Sequence, residues 1–460
     1  MAAVLREAPA VVPVGAQSSL TGGATPFGEW VLSSARLNQI GPLPFDRVEV
    51  QAGVALSSLE EALRPHRLFY PPVPTFRGAF VGGVLATNAA GAATFKYGST
   101  RRWVKALTVV LANGDVLDLV RGTCVAHPEG FFEIEGTAGG VRRVPVPGYR
   151  MPDVPKRSAG YHAAAGMDLL DLVVGSEGTL GVITEAVLAL CPEPGRFLAW
   201  VSFPEETRAL AAVARLREVS RTGQGLDVAA IESLDRRCLQ LLREDGADRE
   251  HGLRLPEAAA SSLLLEVEFP RGEDPTRSLE VLAALLDAEG ALDPIEIALP
   301  EERARAEQLL ALREAVPVAV NRRIAEVQKA GESEVHKTAA DMIVPFEHLS
   351  AMIARYRQGF ASRGLDHALW GHVSDGNLHA NAIPRSLRDV VAAEEAILEF
   401  GREVIRLGGC PLSEHGVGRS PVKQALLREL YGESGIEQMR QVKAALDPEG
   451  KLSPGVLFPR

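Results

Sequence analysis

Residues 370–381, WGHVSDGNLHAN, constrain the fold of this chain most tightly, because the stretch can close in very few ways. Asp375-Gly376 is a strong two-residue turn signal, since both central positions of a type I′ turn need positive φ. A hairpin closed there sets Ser374 opposite Asn377, Val373 opposite Leu378 and His372 opposite His379. Opposed residues share one face of the ribbon, with Cβ atoms about 5 Å apart. The two imidazoles then form a chelating pair for a divalent metal, and a carboxylate plus one open position would complete a catalytic site.

Two histidines in a hairpin more often hydrogen-bond locally or face water. A second cluster shifts that balance. Residues 411–419, PLSEHGVGR, set Glu414 beside His415 among glycines that let backbone approach a ligand. A carboxylate can be the third ligand, and a free imidazole exchanges protons near neutral pH. The residues themselves therefore point to His372, His379 and Glu414 as metal ligands and to His415 as a base.

At 460 residues the chain can build two or three domains with substantial cores. Its 46% apolar and 23% charged content is that of a soluble globular protein, and the net charge of −10 argues against nucleic acid or an anionic membrane as the main partner. Charges interrupt every apolar stretch before 18 residues, and residues 1–14 lack the pattern of a signal peptide, so a cytoplasmic address is expected. Cys124, Cys191, Cys238 and Cys410 show no CxxC spacing, which points to neither disulfides nor a zinc ribbon. GxGxxG and the P-loop pattern are absent, against a dinucleotide-fold NAD site or nucleotide hydrolysis.

Three stretches dense in small residues stand out. Residues 11–25, VVPVGAQSSLTGGAT, run from a short strand into a loop whose backbone N–H groups and hydroxyls can hold phosphate oxygens. Residues 70–98 carry many glycines and alanines and almost no charge, which suits a chain packed against an elongated ligand. Residues 174–184, VGSEGTLGVIT, repeat that chemistry and enter a strand. Between them, Asn113-Gly114 joins two strands as a hairpin, and residues 121–152 read as a solvent-side ribbon.

From residue 196 the pattern changes to strand, amphipathic helix, strand, helix, as expected of a separate α+β cap with an antiparallel sheet. Gly195 is the expected boundary, giving domains at 1–195, 196–410 and 411–460, the last returning to the first. A charged helix over 301–328 carries Arg313, a residue type that grips carboxylates bidentately. A strand follows at 341–345, then a helix over 387–407 stopped by Gly408-Gly409, and two short helices after the EHG cluster.

The chain resembles the FAD-dependent D-2-hydroxyacid dehydrogenases of the vanillyl-alcohol oxidase/p-cresol methylhydroxylase superfamily, a group spanning cytochrome-reducing D-lactate dehydrogenases, the flavin-bearing glycolate oxidase component and D-2-hydroxyglutarate dehydrogenase. The motifs PVGAQSSLTGG, VGGVLATNAAGAATFKYG, GSEGTLGVIT, GHVSDGNLHAN, SEHGVG and ALDPEGKLSPG carry the resemblance over nearly the whole chain. It implies an α+β fold: a p-cresol methylhydroxylase-type FAD-binding domain, short at its N-terminus, with a ferredoxin-like antiparallel cap and a C-terminal helical segment.

The resemblance also implies that FAD is held by Gly15, Ala16, Gln17, Ser18, Ser19, Thr21 and Gly22, then by Gly82, Gly83, Thr87, Asn88, Gly91, Tyr97 and Gly98, and finally by Glu177, Gly178, Gly181 and Ile183. Gln17 and Ser18 stand where covalent members carry a histidine or cysteine, so non-covalent FAD is expected. His372, His379 and Glu414 match the ligands of a divalent ion, zinc first, His415 matches the base, and Arg313 and Asn381 match substrate contacts. Pro317 and Ala339 replace a threonine and a lysine of the hydroxyglutarate enzymes, which implies a monocarboxylate such as D-lactate. The expected acceptor is a cytochrome, a quinone or an electron-transfer flavoprotein, with peripheral attachment at an inner membrane through that acceptor and a homodimer as further expectations. Two alternatives are a truncated, non-catalytic paralogue acting as a subunit and an enzyme like the flavin-dependent ether-lipid synthases.

Overall fold

The computed structural model describes residues 1–460 except 44, 73, 137–139 and 460. The chain divides into two compact units, one of residues 1–91, 98–192 and 410–460, the other of residues 92–97 and 193–409.

The first unit carries an antiparallel sheet ordered Arg47–Gln51, Val182–Ala189, Val104–Val110, Val116–Val120. The two strands around Asn113-Gly114 pair as expected, with Val110 opposite Val116 and Gly114 at φ 84° in the loop. A parallel pair, Val11–Val14 with Trp30–Ser33, leads into the first glycine-rich loop. Leu5 and Ala8 of the opening segment, with Val11, Val110, Val182 and Leu452, form a buried cluster. The chain's end is thereby packed against its beginning, and the Ser453 N–H donates to Val11 O at 2.8 Å. Phe131–Glu135 and Val141–Pro145 form the expected ribbon. The helical segment Pro421–Leu446 starts on a proline, favourable at a first helical position, and kinks at Gly432, which accounts for the two helices expected there.

The second unit is built on an eight-stranded sheet. Its order is Leu292–Ala298, Gly195–Phe203, Ser261–Phe269, Asp227–Asp235, His367–His372, Asn377–Ala382, Thr338–Ala339, with Met342–Ile343 also pairing Asn377–Ala382. Every neighbouring pair is antiparallel. The expected alternation omits the strand Asp227–Asp235 and the helix Arg236–Asp245; Glu232 breaks the strand's apolar run, and the helix is capped by Asp235 accepting Cys238 N–H at 2.9 Å. The helix Arg303–Lys329 buries Leu309, Leu312, Val316 and Val320 in the same core as Leu234, Leu264 and Trp370. Ser386 caps the helix Leu387–Arg406, and Gly408 at φ 78° follows its end. No helix among the described residues is long and apolar enough to cross a membrane.

Candidate active site

The first unit contains a cleft with about 1630 Å³ of empty space, counted out to its open mouth. The three glycine-rich stretches line it together. Gly15, Ala16, Gln17, Ser18 and Ser19 come from the first, Gly82, Gly83 and Thr87 from the second, and Glu177, Gly178, Gly181 and Ile183 from the third. Leu32, Ser34, Ala52 and Phe80 are among the other lining residues; their apolar or small character gave no separate signal in the sequence.

Two observations fit this cleft to a large phosphate-bearing cofactor. Among the described residues, no protein acceptor takes the backbone N–H groups of residues 16–19, so these donors are available to an anion. A Cβ built on Gly83 would meet nothing within 4 Å, so a side chain there would occupy the cleft itself. Gln17 and Glu177 hold positive φ, 53° at each, a conformation that non-glycine residues adopt rarely and mostly where the surroundings enforce it.

Thr21, Gly22, Asn88, Gly91, Tyr97 and Gly98, all expected against the cofactor, do not line the cleft. Asn88 accepts the N–H of Arg101 at 2.9 Å, the Tyr97 hydroxyl donates to Glu268, and Thr21 O accepts the N–H of Arg419 at 2.8 Å. Gly22 and Gly98 supply positive φ, at 74° and 73°, for chain reversals.

Glu414 and His415 line the same cleft. Their loop is fastened to the third glycine-rich stretch, because the Glu177 carboxylate accepts the N–H groups of Val417 and Gly418 at 2.8 Å each. Burial raises the Glu177 pKa to about 7, against the lowering effect of those two N–H groups. Lys156, fully buried, stands 3.1 Å from Glu414 Oε2, and His415 Nε2 lies 3.6 Å from Glu414 Oε1. Lys156 is a residue the sequence did not single out; a lone lysine in PDVPKRS carries no local signal.

In the second unit the hairpin differs from the expected one. Its strands are His367–His372 and Asn377–Ala382, joined by a 3-10 turn over Val373–Asp375 and by Gly376 at φ 88°. His379 therefore lies opposite Trp370 and not opposite His372. The register is two residues away from a two-residue turn, and a shift of two keeps every side chain on its face. Both histidines remain together, with ring centroids 5.3 Å apart and planes at 88°.

That face of the sheet gathers chemistry from three strands. Glu232 is directly opposite His372, and Asn381 is directly opposite both Ala368 and Ala339. His372, His379 and Asn381 are 2%, 6% and 1% exposed, so water is largely excluded from their neighbourhood. Asn381 Nδ2 donates to His379 O at 2.9 Å, while its buried Oδ1 has no partner among the described residues and is available to a ligand. His379 Nδ1 is 3.6 Å from Asp341 Oδ1.

Arg313 reaches this face from its helix but is not a free cation. Its Nε and Nη2 meet Glu232 Oε2 at 2.7 and 2.6 Å, and Nη1 meets Glu314 Oε1 at 2.8 Å. Two of the five N–H groups of a guanidinium remain without an acceptor among the described residues. Glu232 also accepts His372 Nδ1. Burial opposes charge on Glu232, but Arg313 and His372 outweigh it and hold the carboxyl far below its usual range. Glu232 has no motif around it; its one sequence signal is a carboxylate inside the apolar run DVAAIESLD. Lys337 lies 5.4 Å from the centroid of the Trp370 ring, and burial, reinforced by Arg313, lowers its pKa to about 8.

The two imidazoles fit a divalent ion by their chemistry. A carboxylate can only accept from Nδ1 of His372, so in the neutral ring the lone pair is on Nε2, the form a metal ligand needs.

Residues 1–119 match the family described as FAD binding domain, and residues 194–457 match the family of FAD linked oxidases, C-terminal domain. The glycolate oxidase subunit GlcD of Bacillus subtilis is 30% identical over 97% of this chain and 83% of its own length. A D-2-hydroxyglutarate dehydrogenase of Xanthomonas citri is 30% identical, over 98% of this chain and 84% of its own length. A D-lactate dehydrogenase of Archaeoglobus fulgidus is 28% identical, over 96% and 84%. Among solved structures, an alkyldihydroxyacetonephosphate synthase superposes with a TM-score of 0.60 over 97% of this chain and 71% of its own, at 16% identity, a likeness of fold alone. The chain belongs to the FAD-dependent D-2-hydroxyacid dehydrogenase family of the FAD-linked oxidases, a family of oxidoreductases.

Proposed function

We propose that this protein oxidises a D-2-hydroxy acid, D-lactate or a similar monocarboxylate, to the 2-oxo acid with non-covalent FAD and a divalent ion. The observation that carries the reading is that His415 lines the same cleft as the three glycine-rich stretches. When bound, FAD supplies the acceptor for the hydride that leaves C2, and a divalent ion such as zinc supplies Lewis-acid polarisation of the 2-hydroxyl.

The first unit's part is to hold the cofactor and supply the base. The N–H groups of residues 16–19 receive phosphate oxygens, Gly83 leaves room for the ring system or its linker, and His415 takes the proton of the 2-hydroxyl as the C2–H bond breaks and the carbonyl forms. The second unit's part is to offer ligands and grip a carboxylate. His372 and His379 are the imidazole ligands, Arg313 directs its two remaining N–H groups to the substrate carboxylate, and Asn381 directs its amide oxygen to a substrate donor. Glu414 is the carboxylate ligand in this reading, with Lys156 balancing its charge.

A second reading, oxidation of a dicarboxylic 2-hydroxy acid, is favoured by one observation. Lys337 has no carboxylate partner among the described residues, although desolvation disfavours its charge. It stands two residues before Ala339.

The test is anaerobic mixing of flavin-loaded protein with D-lactate, L-lactate and D-2-hydroxyglutarate while flavin absorbance is followed. Bleaching by D-lactate and not by its enantiomer is expected. Bleaching by D-2-hydroxyglutarate alone would favour the second reading, and bleaching by no 2-hydroxy acid would reject both. A yeast relative is named as a cytochrome-linked D-lactate dehydrogenase, and cytochrome c reduction is the corresponding first assay for the acceptor.

A further inference from the structure

We infer that Glu232 is a positioning residue whose single carboxylate fixes the tautomer of His372 and the aim of Arg313. The inference rests on the reading above, in which His372 is a metal ligand and Arg313 a carboxylate contact, and it adds a residue which that reading does not contain.

The geometry is specific. Glu232 and His372 sit directly opposite one another on adjacent antiparallel strands, so their side chains leave the same face of the sheet. Oε1 accepts from His372 Nδ1, while Oε2 accepts from Arg313 Nε at 2.7 Å and ion-pairs with Nη2 at 2.6 Å. With Glu232 5% and His372 2% exposed, water has little access to replace either contact. An ionised carboxylate has no proton to give, so Nδ1 carries the imidazole hydrogen and Nε2 carries the lone pair.

A buried arginine–glutamate pair is often no more stabilising than apolar side chains of the same volume. Such a pair has no need of a third partner. Here the same carboxylate also holds an imidazole, which is how ligating histidines are commonly oriented through their other nitrogen. His379 is held differently: its Nδ1 is 3.6 Å from Asp341, beyond hydrogen-bond length. Arg313 is aligned by the pairing as well, because binding Glu232 through Nε and one edge turns its remaining N–H groups away from that edge.

The test uses the full-length, flavin-loaded, chelator-stripped protein and Zn²⁺ as probe, titrated against a chromophoric competitor. Glu232→Gln and the double variant Glu232→Gln/Arg313→Gln are expected to bind Zn²⁺ about 10- to 100-fold more weakly, whereas Arg313→Gln alone, which leaves the Glu232–His372 contact, stays within about threefold. All three raise KM for the 2-hydroxy acid. The double variant removes the cation that the single one would strand, and flavin content and melting midpoint report folding in each.

A second measurement needs no change to Glu232. In metal-free wild-type protein labelled with ¹⁵N-histidine, the His372 signal, identified by its loss in His372→Gln, should show a protonated Nδ1 and an unprotonated Nε2. A mixed or Nε2-protonated tautomer in the wild type would overturn the inference, as would wild-type Zn²⁺ affinity in a folded Glu232→Gln protein. Should the wild type bind no Zn²⁺ yet show the Nδ1-protonated tautomer, lost in Glu232→Gln, the metal reading fails and the positioning role of Glu232 stands.

Discussion

The carboxylate of Glu177 accepts the backbone N–H of Gly418 at 2.8 Å, with the N–H of Val417 equally close on its other oxygen. A side chain from the third glycine-rich stretch thus sets the path of the loop that carries His415 into the cleft. Gly416 and Gly418, at φ 74° and 56°, let that loop turn around the carboxylate.

That latch titrates. Burial lifts the Glu177 carboxyl from 4.5 to about 7, so between those pH values the folded protein keeps a proton that the unfolded chain has released. The folded state then binds more protons, and the contribution of Glu177 to stability is lost as pH rises through that window. Urea midpoints at pH 5 and pH 8 should therefore fall further in the flavin-loaded wild type than in Glu177→Gln. Equal falls would mean that Glu177 does not titrate in this range.

Gly83 tests the cleft without disturbing the core. Its missing Cβ faces open space on a short helix, so the Cβ of Gly83→Leu meets no neighbour, the rest of the side chain enters the cleft, and the helix gains propensity of about 0.8 kcal/mol. Flavin occupancy after purification should fall at least tenfold while the melting midpoint of the flavin-free protein holds or rises. Retained flavin would place the cofactor elsewhere.

Lys337 is a half-buried cation whose pKa lies near 8, below its ordinary 10.5. The unfolded chain is protonated through the interval in which the folded protein has lost its proton, so the penalty is full below pH 8 and disappears as pH rises toward 10.5. Lys337→Met should raise the melting midpoint by a few degrees at pH 7, and the gain should shrink between pH 8 and 10. In the dicarboxylate reading the same variant loses D-2-hydroxyglutarate turnover selectively.

Metal removal tests the proposed ion apart from the flavin. Dialysis against a chelator, or His379→Ala, should lower turnover by two orders of magnitude or more while visible flavin absorbance is unchanged, because the residues lining the cleft include neither hairpin histidine. Turnover is expected to return with added zinc or manganese in the wild type and not in His379→Ala. Full turnover of the metal-free wild type would remove the ion from the reaction.

Local chemistry made much of this protein legible in its sequence. Three stretches of small residues announced a cleft for a large cofactor, Gly408-Gly409 marked the end of a helix, Asn113-Gly114 marked a hairpin, and the twofold period of strands put His372 and His379 on one face even though the turn between them was misjudged. These are properties of neighbours, and neighbours are what a linear chain shows.

Tertiary structure decided the rest. The hairpin register was set by a 3-10 turn over Val373–Asp375, closed by Gly376, where a two-residue turn was expected. Glu232 met His372 only because a strand 140 positions earlier paired beside it, and that same carboxylate took up Arg313, which sequence alone had left free for substrate. Asn88 and Tyr97, equally small-loop residues by position, turned to Arg101 and Glu268 instead of the cleft. The physical reason is common to all of them: a residue's type and spacing limit what it can do, but a buried charge or hydrogen-bonding group is settled by whichever partner the folded chain brings within about 3 Å of it.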